Sequence, residues 1–398
     1  MPRQLPCISD LPSRFYMVKR LMFPRLLTVP KAQSFFLFGP RGVGKTAWLH
    51  SQMPDALFFD LLDARVFTQL LAAPERLGEQ IPADYAGWVV LDEIQRVPEL
   101  LNEVHRLIEA RRLKFALTGS SARKLRRKGV NLLGGRAVTR HLHPFIAAEL
   151  GKDFAVHRAL RLGGLPLACT SLSPQEYLHS YVATYLREEI QQEGLARNVA
   201  AFGRFLEAAS FSQGSVLNMA AVARECSVGA KVVEDYFSIL EDLLIAIRLP
   251  VFTKRAKRRM LGHPKFFFFD AGVFQAIRPR GPLDAPEQIN GLALETLVLQ
   301  HLRASNDYRQ LGYQLHYWRT STGDEVDFVL YGERGLLAIE VKMTDRIREA
   351  DLRGLLRFGE DYPMARRQLI YLGKRRWHEK GIDIIPATDY LPHLDQFL

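Results

Sequence analysis

At 398 residues, 47% hydrophobic and 24% charged, the chain has the balance of a globular protein with material for two or three cores. No apolar run approaches a membrane span, and the three cysteines (Cys7, Cys169, Cys226) lack metal or disulfide spacing, which argues against a membrane protein and a disulfide scaffold and for a cytoplasmic one. The net charge of +11 sits largely in three basic runs, Arg123–Lys128, Lys254–Arg259 and Lys374–Arg376, the footprint expected of a protein that meets a nucleic-acid backbone, although a solvated basic face has the same composition.

Residues 1–16 lack the apolar core of a secretory signal and read as a tail or an over-extended start. Ser34-Phe35-Phe36-Leu37-Phe38 reads as a buried strand. It feeds Gly39-Pro40-Arg41-Gly42-Val43-Gly44-Lys45-Thr46, a complete phosphate-binding loop, and a helix begins at its end. In such a loop, residues 39–46, the backbone N–H groups that are present wrap a polyphosphate. Lys45 reaches the β- and γ-phosphates, and the Thr46 hydroxyl ligates Mg²⁺. ATP and Mg²⁺ are therefore the expected cofactors. Trp88-Val89-Val90-Leu91-Asp92-Glu93 reads as a second core strand ending in two carboxylates. Asp92 is expected to hold Mg²⁺ through water, and Glu93 to polarise the attacking water. In the third strand, Lys114–Gly119, and the serines after it, Thr118 or Ser120 either reports on the γ-phosphate or caps the following helix. Arg136, after Gly134-Gly135, is either an arginine finger, which in trans would need a homo-oligomer, or a structural ion pair.

The set GPRGVGKT, VVLDEIQRVPELL, FALTGSSARKL, LLGGRA and HLHPF resembles the AAA-type ATPase domain of a widespread prokaryotic family, in which a domain of unknown function follows. Gly163-Gly164-Leu165-Pro166 resembles the Gly-x-Pro element in the helical lid of related signal-transduction ATPases. The resemblance runs from about Met17 to about Thr344 and implies an ATP-dependent molecular switch.

Beyond the lid, Asn218 is a candidate cap for a helix over Met219–Glu225, followed by the turn Cys226–Gly229. A second helix is expected to about Leu243, with Val232, Tyr236, Ile239, Leu240 and Leu243 inward. With strands at Ile245–Leu249 and Phe266–Phe269 this reads as a winged helix-turn-helix whose wing carries the second basic run. Glu234, Asp235, Glu241 and Asp242 make its second helix a poor fit to a DNA groove. The row Phe202, Phe205, Leu206 and Phe211 reads as core.

Near the C-terminal end, Gly323–Leu330 reads as a turn into a strand, and the next strand ends Glu340-Val341-Lys342. Residues two apart in a strand share a face, so Glu340 and Lys342 point the same way, and Asp327 joins them if the strands form a hairpin. Two carboxylates would hold a divalent metal while Lys342 orients a water for phosphodiester attack. This D…E-x-K arrangement is similar to the restriction-endonuclease-like core, and Glu295 matches the acidic helix residue those enzymes add. Glu-x-Lys is also a common salt bridge on strands.

The expected organisation is α/β: a P-loop NTPase parallel sheet (17–150), a helical lid with winged helix (151–275) and a small α/β nuclease-like domain (276–398). Two functions compete. One is an ATPase acting on DNA through a metal-dependent nuclease centre at Asp327, Glu340, Lys342 and Glu295; the other is an ATP-driven switch whose last domain only binds a protein or nucleic acid.

Overall fold

A computed structural model describes residues 23–120, 133–186, 199–254, 262–282 and 284–398. The basic run at 123–128 and all but Lys254 of the run at 254–259 lie outside these residues.

β1 (Ser34–Phe38) is buried along its whole length, as a strand covered on both faces must be. Its side chains alternate: Phe35 and Leu37 pack with Trp48 and Leu49, whereas Phe36 and Phe38 join Leu101, Val104 and Phe115 on the other face. α1 (Lys45–Gln52), β2 (Leu57–Asp60), α2 (Ala64–Ala72), α3 (Arg76–Glu79), β3 (Trp88–Asp92), α4 (Leu100–Arg111), β4 (Lys114–Gly119) and β5 (Ala137–His141) follow. The five strands are parallel in the order β2-β3-β4-β1-β5. Because β1 neighbours β4 and β5 rather than β2, the loops after β1 and β3 open together at the carboxyl edge, where α/β sheets place their ligands.

Short helices come next: α5 (Ala147–Leu150), α6 (Val156–Leu162), α7 (Pro166–Thr170) and α8 (Pro174–Ser180). Then come α9 (Val199–Phe211), α10 (Met219–Cys226) and α11 (Ala230–Asp242), and the antiparallel pair β6 (Ala246–Leu249) and β7 (Lys265–Phe268). Asn218 caps α10, its side chain accepting from Ala221 N at 3.1 Å. The inward face of α11 differs from the expected one. Val233, Tyr236, Phe237, Ile239 and Leu240 are buried while Val232 is 38% exposed, because Phe237 completes the aromatic cluster with Phe205 and Phe266 and turns the helix. Phe211 is likewise not core; at the end of α9 it is half exposed beneath the Arg278 guanidinium, 3.5 Å from its ring centroid. Of the acids on α11, Glu234 and Glu241 are both engaged by Arg248 of β6.

α12 (Ala271–Ile277) and the long α13 (Pro286–Arg309) lead to β8 (Gln314–Arg319), β9 (Glu325–Gly332), β10 (Gly335–Lys342), α14 (Arg353–Asp361), β11 (Arg366–Tyr371), β12 (Trp377–Glu379), β13 (Ile382–Pro386) and α15 (Ala387–Tyr390). The sheet order is β12-β13-β11-β10-β9-β8, antiparallel through β8, β9 and β10 and parallel from β10 through β11 to β13. Backbone bonds stitch the chain between β6 and β7 to this sheet, Phe252 N donating to Tyr317 O at 2.7 Å and Tyr317 N to Pro250 O at 3.0 Å. No helix among the described residues is long and apolar enough to cross a membrane.

Candidate functional site

The loop after β1 is shaped by its glycines. Gly42 and Gly44 take φ of +83° and +89°, and a Cβ on Gly39 would lie 2.4 Å from the Leu142 carbonyl oxygen, so only glycine permits this approach. Gly44 stands as the N-cap of α1, whose first N–H groups face the loop. Pro40, Arg41 and Val43 contribute mainly backbone. Arg41 O accepts from the Tyr181 hydroxyl at 2.9 Å and Val43 O from the Arg25 guanidinium at 2.5 Å. Lys45, buried, donates to Gly39 O at 2.8 Å and Pro40 O at 3.4 Å, which holds its ammonium along the loop.

The ends of β3 and β4 meet the start of α1. Thr46 Oγ1 donates to Asp92 Oδ2 at 2.6 Å, Thr118 Oγ1 donates to Asp92 Oδ1, and Glu93 N donates to Thr118 Oγ1 at 3.0 Å. Glu93 has φ +60°, a left-handed turn that costs a non-glycine residue about 1 kcal/mol and is anchored by its bond to Thr118. Its carboxylate accepts from Gln95 Nε2, which also reaches Ser120 Oγ at 3.3 Å. A buried carboxylate between two hydroxyls, beside a helix N-terminus and an ammonium, is a donor set that suits a magnesium nucleotide. Arg136 pairs with Glu109 of α4 in the same chain.

The segment around α7 and α8 packs against the loop. Tyr177, Tyr181 and Leu165 all lie within 4 Å of the Cβ position of Gly42, and Pro166 lies 3.8 Å from that of Gly44. Gly163-Gly164 is fixed by Asp270, the N-cap of α12, whose Oδ2 accepts from Gly164 N at 2.7 Å and Oδ1 from Val273 N at 3.0 Å. Burial pushes Asp270 up to about 6 even though these N–H groups favour its ionised form. Beside Tyr177 a cavity of about 750 Å³ opens, lined among others by Phe23, Phe154, Arg158, Leu167 and Thr170.

The second candidate centre assembles as a hairpin. β9 and β10 pair with Phe328 opposite Ile339, so Asp327 and Glu340 meet one step further along. Asp327 Oδ2 accepts from Val341 N at 2.9 Å, and Lys342 Nζ donates to Glu340 Oε1 at 2.6 Å. Burial, then the Asp327 carboxylate, raises the pKa of both Glu340 and Glu295. Asp327, Glu340 and Glu295 come together, close enough for their charges to act on one another. Among the described residues no group of three or more His, Cys, Asp and Glu side chains is placed to hold a metal ion. Lys265 of β7, 2% exposed, stands among the carboxylates instead, contacting Glu325 and lying 3.4 Å from Asp327 Oδ1.

Sequence reasoning passed over Arg25, Gln95, Asp270 and Lys265. Arg25 lies in irregular chain and carries no local signal, and Asp270 reads only as a cap. Gln95 follows Glu93 by two residues. Lys265 begins a strand that is otherwise phenylalanine, and a charge in an apolar strand was the available sign.

Residues 31–151 match the model of an AAA domain. Residues 153–284 and 290–390 match two domains of unknown function, DUF8612 and DUF4143. The chain thus carries an AAA-type P-loop ATPase domain followed, at its C-terminal side, by a DUF4143 domain. No curated protein matches. Among solved structures, the Aeropyrum pernix ORC1 protein in complex with DNA is 15% identical, covering 62% of this chain and 87% of its own, with a TM-score of 0.29. A DNA polymerase III gamma subunit-related protein from Thermotoga maritima is 12% identical over 54% of this chain and 94% of its own, at a TM-score of 0.22. A Vibrio cholerae protein is 13% identical over 91% and 97%, at 0.23. These likenesses are slight.

Proposed function

We propose that the protein is an ATP-hydrolysing switch whose C-terminal part engages a partner without cutting it. The observation that carries the ATPase reading is Asp92, buried and gripped by the hydroxyls of Thr46 and Thr118 at the mouth of the glycine loop. Bound Mg²⁺ would neutralise phosphate charge there, held by Thr46 directly and Asp92 through water. The N–H groups of residues 41–46 and Lys45 orient the phosphates. Glu93 takes the proton of the attacking water, and its bond to Gln95 positions that carboxylate. Thr118, joined to both Asp92 and the backbone of Glu93, is the group through which a change at the phosphates reaches β4. The cavity beside Tyr177 offers an apolar seat for the nucleoside.

Lys45→Ala should abolish ATP binding, read by fluorescent-nucleotide titration. Glu93→Gln should retain it while phosphate release falls by about 100-fold or more. Unchanged turnover in Glu93→Gln would remove Glu93 from the role of base, and a wild-type protein that binds no ATP would end the reading.

DNA is the partner we propose, on the net charge of +11 and the exposed run Lys374-Arg375-Arg376 between β11 and β12. Retention of plasmid that weakens steeply with salt and is lost in a triple alanine variant of this run would bear this out; salt-independent capture would not. Cleavage is left out of the proposal because Lys265, a side chain from β7, stands among the carboxylates of β9.

A further inference from the structure

The carboxylates of the C-terminal sheet face a side chain from another part of the fold. β7 belongs to the pair that follows α11, and its first residue, Lys265, sends its ammonium to Glu325 and Asp327 of β9. We infer that Lys265 takes the place of a divalent cation in this cluster, making it an internal ion-pair lock between β7 and the C-terminal sheet that is closed to metal. This inference is independent of the ATPase reading.

Three observations support it. Glu340 is 7% exposed and its Oε2 has no hydrogen-bond partner; Glu295 Oε2 is buried in the same condition. These oxygens accept no hydrogen bond, and the positive charge beside the cluster comes from Lys265 and Lys342. Lys265 is also fixed where it stands. Its strand is paired with β6, and the next residue, Phe266, bonds Ser215 O through its N–H at 3.0 Å and receives Gly214 N at 2.7 Å. The main chain that carries Lys265 is therefore held in place, and the burial of its side chain leaves the ammonium little room to swing away. Lastly, an ammonium donates to a few oxygens, whereas Mg²⁺ demands a near-octahedral oxygen shell, so the two exclude one another by charge and by space.

The test is Mn²⁺ binding to full-length, nucleotide-free protein, followed by the paramagnetic resonance of free Mn²⁺. Wild type and Asp327→Asn should retain the same Mn²⁺, whatever the nucleotide loop holds being common to both. Lys265→Met should gain one site that binds at least about tenfold tighter than any in wild type and disappears when Asp327→Asn is added. Since Lys265→Met leaves carboxylates uncompensated, the double variant Lys265→Met/Glu325→Gln, with one charge fewer, carries the same expectation. An Asp327-dependent site already present in wild type would overturn the inference, as would a folded Lys265 variant without a new site.

Discussion

His301 is held through both ring nitrogens: Nδ1 donates to Leu297 O at 2.8 Å, and Nε2 accepts from Ala147 N at 2.8 Å. Only the neutral imidazole can do both, and burial lowers its pKa to about 4. The unfolded chain takes up this proton near pH 6.5 and the folded chain near 4, so the contribution is complete above 6.5 and is lost as pH falls through that window. The loss amounts to about 3 kcal/mol. Thermal midpoints measured from pH 7 to 4.5 should fall less steeply for His301→Gln than for wild type; parallel slopes would dismiss His301 as a source of acid lability. Residues of the nucleotide loop were legible in sequence because the chemistry confines them to a fixed spacing. Lys265 and Asp270 were not, since each gains its meaning from chain far away, at 325–327 and at 163–164.

Elements follow the same division. The parallel strands β1, β3 and β4 announce themselves as apolar runs, and the pairing of β9 with β10 follows from a short turn. The face of α11 was misjudged at Val232 because helical spacing alone accepts neighbouring registers, and the aromatic cluster decided between them. The turn between α6 and α7 is closely packed against its surroundings. Gly163 sits at φ +64° and ψ −155°, a region essentially reserved for glycine, and a Cβ there would lie 1.9 Å from Asp270 Oδ1. Gly163→Ala should destabilise the protein by about 3 kcal/mol or more and loosen the lid over the loop. Denaturant melts together with ATP affinity would check this, and a shift under about 1 kcal/mol would show that Asp270 can retreat at little cost.

One of the three apolar clusters among the described residues runs from Phe35 and Trp48 through Phe205 and Phe237 to Phe328, Ile339 and Tyr390. α13 fastens the C-terminal sheet to the ATPase domain. Tyr308 accepts from His143 N at 3.0 Å, Asp307 meets the His143 ring at 2.6 Å, and Gln300 donates to Phe145 O at 3.1 Å. Leu142, whose carbonyl crowds Gly39, is the residue just before His143. A shift in the phosphate loop therefore presses on the segment that α13 holds. Hydrogen exchange at residues 300–308 should differ between ATP-bound and nucleotide-free protein, and Tyr308→Phe should shrink that difference while leaving ATP affinity intact. Identical exchange in both states would sever the path.

The three family models part the chain near residues 152 and 287, but the core recognises neither seam. Exchanging the last segment for one from an unrelated protein would strip His143, Phe145 and Ala147 of their partners and lay bare one side of the ATPase domain. A graft at the second seam would need new side chains matched to those the ATPase domain presents.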